Sequence, residues 1–377
     1  MAGKMVKFLY LSEEDMINAG VLDMEKCVHT IDSAFKLVGQ GDYIAGGPSR
    51  KQHGIKIYFP TETPFPNMPV AGPDRRFMAM VSYLGGEFNV CAVKWYGSNI
   101  ENPKRGLPRS ILLIVLNDPD TAEPLAVMSA NLVSAMRTGA VPGVAAKYLA
   151  RKDSSVLGIV GCGVINRATL KGFVAALPNA QEVVVYDIFS NKATEYCNQM
   201  TDELKGKKLT FRVASGIEEA IRNSDVISVA TAGPRDPVIK TEWLKEGSLL
   251  TLSATANLEE ELLLSSKIVV DDWEMHVSQK VEEDLYPNIS DAEKLNLPVK
   301  YLFQLIDEGK ITEKDINNLG PITIGKTPGR TNDKERIVFM AGGMPAEDAA
   351  WSHAVYKEAL SKGIGQELTL WNSPHWF

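Results

Sequence analysis

An apolar run that breaks into a glycine-rich turn, and passes at once into a helix-compatible run, constrains this chain more than any other stretch. It reads VLGIVGCGVINRATL over 156–170, and a second apolar run at 182–187, EVVVYD, closes on a carboxylate. Strand, glycine turn, helix, strand and acid, in that order, are the layout of a dinucleotide-binding βαβ unit. Gly161 allows the tight turn, and Gly163 lets the backbone approach a pyrophosphate lying on the helix N-terminus. Val164, Ile165 and Asn166 open that helix. Asp187 follows Asn166 by about 20 residues, where a carboxylate accepts from both ribose hydroxyls. Asn166 departs from the pattern, since a small residue usually stands there to let helix and strand pack closely. With no basic residue directly after Asp187, the reading is NAD, because a carboxylate repels a 2′-phosphate. Lys192 lies near enough to leave NADP open.

The rest of the chain frames this unit. Ser12 and the apolar spacing of Val28, Ile31, Ala34, Phe35 and Val38 predict a helix over 10–40. Short alternating or apolar runs at 55–59, 77–83, 90–96, 110–116 and 125–129 predict strands, with an exposed loop at 60–76 that carries five prolines. A long helix follows Ala130 and runs to Leu149, with a kink expected at Pro142. Strands are predicted at 156–160, 182–187, 209–213, 226–230, 248–253 and 267–271, alternating with helical or turn-rich segments. The run 337–340 leads through a glycine turn into a closing helix, 345–362, expected to return to the first domain. The C-terminal aromatics are expected to pack.

The fold class is therefore α/β, a Rossmann doubly wound parallel sheet with a second, α+β domain. The boundaries are 134–337 for the NAD(P)-binding domain and 1–133 with 338–377 for the substrate domain.

Bulk properties exclude several classes. The net charge of −7 over 377 residues is wrong for a nucleic-acid partner, which requires a basic stripe. No run approaches the length of a membrane span, and the N-terminus lacks the apolar core of a signal peptide. Four scattered cysteines and five histidines offer neither a disulfide framework nor a metal site. The expected setting is cytoplasmic. Cys162, inside the glycine turn, reads as a small space-filler rather than a redox residue.

An acidic substrate held against a nicotinamide needs cations, and the first part of the chain supplies four candidates: Arg50, Lys94, Arg109 and Arg137. Lys94 interrupts an apolar strand, so alternation alone allows a solvated face; a buried lysine with a lowered pKa would instead move protons. Arg137 lies in an apolar helix, where a guanidinium binds a carboxylate bidentately.

These residues carry a resemblance. EPLAVM at 123–128, SAMRTGA at 134–140, AAKYLA at 145–150 and GMPAED at 343–348, around the glycine turn, resemble the ornithine cyclodeaminase/μ-crystallin family over almost the whole chain. The resemblance implies a homodimer formed through the substrate domain. It implies that Arg50 and Arg137 hold a substrate α-carboxylate and that Lys94 lies close to the reacting Cα and nitrogen. It also puts Gly161, Gly163, Asp187, Thr138 and Thr231 around the cofactor. Thr255 occupies the position where the cyclodeaminases carry an aspartate, which argues against ring closure here. Leu84-Gly85-Gly86, Lys94-Trp95 and GLPRS at 106–110 resemble the branch of amino-carboxyethyl-glutamate dehydrogenases, opine-type enzymes, in which Arg109 would meet a second carboxylate. The implied activity is NAD(P)-dependent hydride transfer at the Cα–N bond of an amino acid, opine or imine. The alternatives are an ornithine or lysine cyclodeaminase, with Glu259 or Glu260 as the base, and an inactive NAD(P)-binding crystallin-like protein.

Overall fold

The computed structural model describes residues 3–72, 74–232, 235–285 and 298–376. Strands β1 (Val6–Leu11), β2 (Tyr43–Ala45), β3 (Ile55–Ile57), β4 (Arg76–Leu84), β5 (Val90–Ser98), β6 (Ser110–Asn117) and β7 (Pro124–Ser129) precede the glycine turn. After them come β8 (Val156–Val160), β9 (Glu182–Tyr186), β10 (Thr210–Val213), β11 (Val226–Val229) and the short β12 (Val238–Ile239). The remainder are β13 (Leu249–Leu252), β14 (Asn257–Leu258), β15 (Lys267–Val270), β16 (Ile316–Asn318), β17 (Ile337–Met340) and β18 (Gln366–Trp371). The helices are α1 (Glu13–Asn18), α2 (Met24–Gln40), α3 (Asn131–Leu149), α4 (Val164–Ala176), α5 (Ser190–Glu203) and α6 (Ile217–Arg222), then α7 (Glu260–Leu264), α8 (Trp273–Asp284), α9 (Lys300–Asp307), α10 (Leu319–Thr323) and α11 (Pro345–Lys362).

Eight parallel strands in the order β10-β9-β8-β11-β13-β17-β15-β16 form the Rossmann sheet. Their near-continuous apolar character follows from burial on both faces. A second sheet runs β18-β1-β7-β6-β5-β4-β2, with β3 also on β4. It is mixed, β1 lying parallel to β7 and antiparallel to β18. Here the pleat sorts residues by face. Met78, Met80, Ser82 and Leu84 of β4 are buried inward, and Val90, Ala92 and Lys94 of β5 share that face. Helix α11 packs on β4, β5 and β6, flanked by α2 and α3, so the closing helix does return to the first sheet. The opposite face keeps Phe77, Trp95, Ile111 and Leu113 about 40–50% exposed.

Helix α3 joins the two sheets. Its glycines are sites of close approach: a Cβ on Gly139 would lie 2.4 Å from Ala168 of α4, and one on Gly172 would lie 2.5 Å from the Gly139 carbonyl. Pro142 lies within an unbroken helix, and its missing N–H leaves the Thr138 carbonyl without its helical donor.

Four expectations need correction. Residues 10–40 are not one helix: β1 takes 6–11, and α1 ends at a turn where Gly20 has φ +95° before Asp23 caps α2. β17 lies inside the parallel sheet between β13 and β15, so the boundary drawn at 338 falls within a Rossmann strand; its other edge, 134, falls inside α3. The C-terminus forms edge strand β18 on β1 rather than packing its aromatics; Trp376 is 87% exposed. The sequence over 278–318 is charged and reads as helical; helix is present in α8 and α9, but Ile316–Asn318 form β16 in the parallel sheet, and 286–297 lie outside the described residues. No described helix is long and apolar enough to cross a membrane.

Candidate active site

The carboxyl ends of the parallel strands are where open α/β sheets bind ligands. β8 leads directly into Gly161, at φ +93°, pressed so close to the end of β11 that a Cβ would lie 2.5 Å from the Ala230 carbonyl and 3.0 Å from Thr231 Cγ2. No other residue type fits there. Gly163 is the N-cap of α4 without any side-chain cap, and its Cβ direction is open space. The unfilled first-turn N–H groups, beside an exposed Val164 and half-buried Ile165, suit a phosphate. Asn166 is fully buried and fastens the turn: its Nδ2 donates to the carbonyls of Val160 (2.8 Å) and Gly161 (2.7 Å), and its Oδ1 accepts from Ser228 Oγ (2.6 Å). The apparent flaw in the motif is thus a polar brace. The small residues that allow close packing are moved to the α3–α4 contact.

Asp187, just past β9, accepts from the N–H groups of Cys162 (2.9 Å) and Phe189 (3.0 Å), so its carboxylate stays at the mouth of the turn. Lys192 sits over the Phe189 ring at 4.8 Å. Burial, with Asp187 adjacent, pushes the Cys162 thiol up to about 12, which keeps it protonated and inert. The cradle fits a dinucleotide with unphosphorylated ribose. Replacing Asp187 by serine should raise the KM for NAD at least 10-fold and lower that for NADP, removing the carboxylate's repulsion; unchanged discrimination in steady-state assays would refute this role for Asp187.

Two residues before Gly139 on α3, at Arg137, a buried ionic chain crosses from sheet to helix. Lys94 Nζ donates to Asp348 Oδ2 (2.7 Å), Arg137 Nε donates to Asp348 Oδ1 (2.9 Å), and Arg137 Nη1 donates to Glu347 Oε2 (2.6 Å). All four side chains are less than 10% exposed. Burial first, and then the Arg137 cation, lowers Lys94 to about 8 despite Asp348. Burial raises Glu347 to about 7 although Arg137 opposes it. The local backbone admits this chain because Gly343, at φ +85°, leaves the space that Arg137 Nη1 fills; a Cβ there would lie 2.5 Å away.

His53 Nδ1 donates to the Gly343 carbonyl at 2.7 Å. Burial and the neighbouring Lys56 and Lys94 cations keep its pKa far below the ordinary value. It is a neutral imidazole with Nε2 as acceptor. The N–H groups of Gly342 and Gly343 are held in turn by Asp271 Oδ2, whose other oxygen pairs with His276 Nε2 at 2.7 Å.

The remaining expected residues are more dispersed. Arg50 is exposed at φ +58° in a loop that its neighbours tie to α8, through Ser49–Ser278 (2.8 Å) and Lys51–Asp272 (2.9 Å). Arg109 is half-exposed and its Nε is taken by Asp74 at 2.5 Å, outside the Lys94–Arg137 chain. Thr138 is half-buried on α3 next to Arg137, and Thr231 stands against the Gly161 turn. Thr255 is buried and donates to Asp236 Oδ1 at 2.5 Å, with Lys300 on the other oxygen at 2.9 Å. Glu259 and Glu260 point elsewhere, to the Thr241 N–H and Lys310.

Sequence reasoning missed His53, Asp236, Glu347 and Asp348 as site residues. A signal was present for the last two: adjacent acids in the alanine-rich run PAEDAAW, 345–351, must be buried if that helix packs, and buried acids demand cations.

A dinucleotide cradle and a lysine able to exchange a proton near neutrality, joined by one helix, belong to hydride-transfer chemistry beside nitrogen. The class is that of NAD-dependent oxidoreductases acting on the Cα–N bond of amino acids and imines. The model of the Ornithine cyclodeaminase/mu-crystallin family matches residues 21–363, and the chain belongs to that family. N-((2S)-2-amino-2-carboxyethyl)-L-glutamate dehydrogenase of Staphylococcus aureus is 30% identical over 97% of this chain and 99% of its own. Alanine dehydrogenase of Archaeoglobus fulgidus is 31% identical over 96% of this chain and 98% of its own. Among solved structures, Thermococcus litoralis Δ(1)-pyrroline-2-carboxylate reductase in complex with NADH and L-proline matches with a TM-score of 0.77 at 30% identity, over 95% of this chain and 99% of that one.

Proposed function

We propose that the chain interconverts an amino acid, or an opine, and its imine or 2-oxo acid, with the buried Lys94–Asp348–Arg137 chain as its substrate site. The observation that carries this reading is the Lys94–Asp348 pair at 2.7 Å, because it couples a proton-exchanging amine to a buried carboxylate directly beside a guanidinium. NAD bound at the glycine turn supplies the nicotinamide that takes or returns hydride. Arg137 keeps Nη2 for a substrate α-carboxylate, and Arg50 closes from the loop to hold its other oxygen, fixing which face meets the cofactor. Lys94 gives a proton to, or takes one from, the substrate nitrogen, with Asp348 holding its ammonium. His53 Nε2 accepts from the substrate amine. Burial under α11 excludes water from the imine.

The test is NADH absorbance with a panel of amino acids and of amine/2-oxo acid pairs, sampled for ammonia. A lasting NADH change supports the proposal. A second reading has one observation in its favour: Asp236, bonded to Thr255, brings a carboxylate to the segment where the cyclodeaminases carry theirs. Ornithine converted to proline and ammonia without net NADH change would establish it. Four cysteines free of disulfides support a cytoplasmic setting.

The exposed face of the second sheet supports a homodimer. Phe77, Trp95, Ile111 and Leu113 form an apolar surface on β4–β6, larger in character than isolated exposed residues require. Trp95 stacks on Phe77 at 5.6 Å, and the cleft beside them, about 640 Å³, is lined by Pro66, Met68 and Leu113. Leu113→Asp should convert the protein from dimer to monomer in light-scattering chromatography; an unchanged dimer would move the interface elsewhere.

A further inference from the structure

Lys94 is not alone on the inner face of its sheet. The register pairs Lys56 with Met78, Met78 with Tyr96, and Met80 with Lys94. Cross-strand partners share a face, so Lys56 and Lys94 rise from the same surface, two strands and two residues apart. That places their backbone positions about 12 Å from one another, with Met78 and Met80 as an apolar floor between them. Lys56 is 8% exposed, and its Nζ has no hydrogen-bond partner among the described residues. Arg76 stands on the same face of β4, two residues from Met78. Its Nη2 reaches Asp74 at 3.3 Å, while its buried Nε is unpartnered among the described residues. Among the described residues no carboxylate is bonded to Lys56 Nζ: Glu282 accepts from Gln52 Nε2 at 3.0 Å, and Glu282 and Glu283 both raise the Lys56 pKa electrostatically. The Tyr58 ring lies 5.6 Å from Nζ. A buried ammonium without a bonded anion is costly unless something else compensates it.

We propose that Lys56, with Arg76 beside it, receives a second carboxylate of the substrate, making the substrate a dicarboxylic amino acid or its imine. This rests on the site reading given above and narrows it. The α-carboxylate lies at Arg137, the reacting nitrogen at Lys94, and the distal carboxylate at Lys56, with the methylenes on Met78 and Met80. Burial, reinforced by Arg76, lowers Lys56 to about 8, and an anion in contact would restore its charge. Arg109, bound to Asp74, is not needed for this role.

The experiment compares wild type, Lys56→Met and Lys56→Arg in NADH oxidation with ammonia and pyruvate, oxaloacetate or 2-oxoglutarate. Binding of alanine, aspartate and glutamate to the NAD-loaded protein is measured alongside by calorimetry. The expected result is a preference for the dicarboxylic compounds. Lys56→Met should lose on the order of 100-fold in kcat/KM for them, through KM, with less than about 3-fold change for pyruvate and partial recovery in Lys56→Arg. The thermal midpoint of Lys56→Met should be unchanged or higher, because a purely structural lysine would lower it on removal. Preference for pyruvate, or an equal loss for all substrates, would overturn the assignment while leaving the oxidoreductase reading intact. Lys56-dependent binding of aspartate or glutamate without NADH turnover, with ammonia or with any amine of the panel above, would support the assignment and overturn the oxidoreductase reading. Neither binding nor turnover, across that whole panel, would overturn both.

Discussion

Lys94→Met should lower kcat by about 10²- to 10⁴-fold, the range that a positioned proton-transfer group contributes, while leaving NAD affinity within about 2-fold. The reason for so large an effect is that burial and Arg137 bring Lys94 to about 8, so its two protonation states are both accessible near neutrality. The sign depends on direction. Amine oxidation needs the neutral amine to take a proton, so kcat/KM rises with pH and levels off above about 8. Imine reduction needs the ammonium, so the rate is flat below that pH and falls above it. Opposite limbs measured in the two directions, both abolished in Lys94→Met, would identify the group. Lys94→Arg preserves the positive charge beside Asp348 but does not release a proton in this range; it should bind cofactor and fail in catalysis. A Lys94→Met enzyme within about 3-fold of wild type would remove Lys94 from the chemistry.

Arg137→Met should cost stability as well as activity. It leaves Glu347 buried without its partner and Asp348 with Lys94 alone, a disruption worth about 3–5 kcal/mol. For a domain of this size that is a fall in Tm on the order of 10 °C. The loss should be pH-dependent. Glu347 is already raised to about 7 by burial, and without Arg137 it rises further. A carboxyl whose folded pKa exceeds its unfolded value binds more protons when folded, so stability falls as pH rises from the unfolded pKa through the folded one. The deficit against wild type should therefore be smaller at pH 6 than at pH 8, and Glu347→Gln in the same background should flatten it. Equal deficits at the two pH values would show that Glu347 does not carry the penalty. Activity should fall by at least 100-fold at any pH where the variant is folded, since among the described residues no other guanidinium bonds Asp348.

What the sequence made legible divides along a physical line. The glycine turn, Asp187 and the alternating Rossmann strands are written in neighbouring residues, where backbone sterics and local periodicity decide. Lys94 and Arg137 could be suspected from their apolar surroundings. Their partners could not: Asp348 lies 254 positions from Lys94, and only the return of α11 onto β4–β6 brings the two together. β1 and β18 were missed for the same reason: β18 is an edge strand that exists only by pairing with β1, and β1 lies between it and β7, each partner far off in the sequence. Asn166 looked like a defect because the motif describes volume, whereas the residue acts through hydrogen bonds to the turn it follows. Lys56 sits in a three-residue strand, too short for alternation to reveal its face without the register to β4.

That register sets the terms on which such a protein can diversify. Along β4 the even-numbered side chains from Met78 to Leu84 are buried beneath α11 and the odd-numbered ones face the outer surface. Losing or gaining a single residue would exchange the two sets at one stroke. Lineages can therefore explore new substrates by point replacement within the strands, or by changing the length of the segments between them, such as 60–75 and 99–109. Within β4 and β5 themselves a change of length is costly, because the parity of one strand serves two surfaces at once.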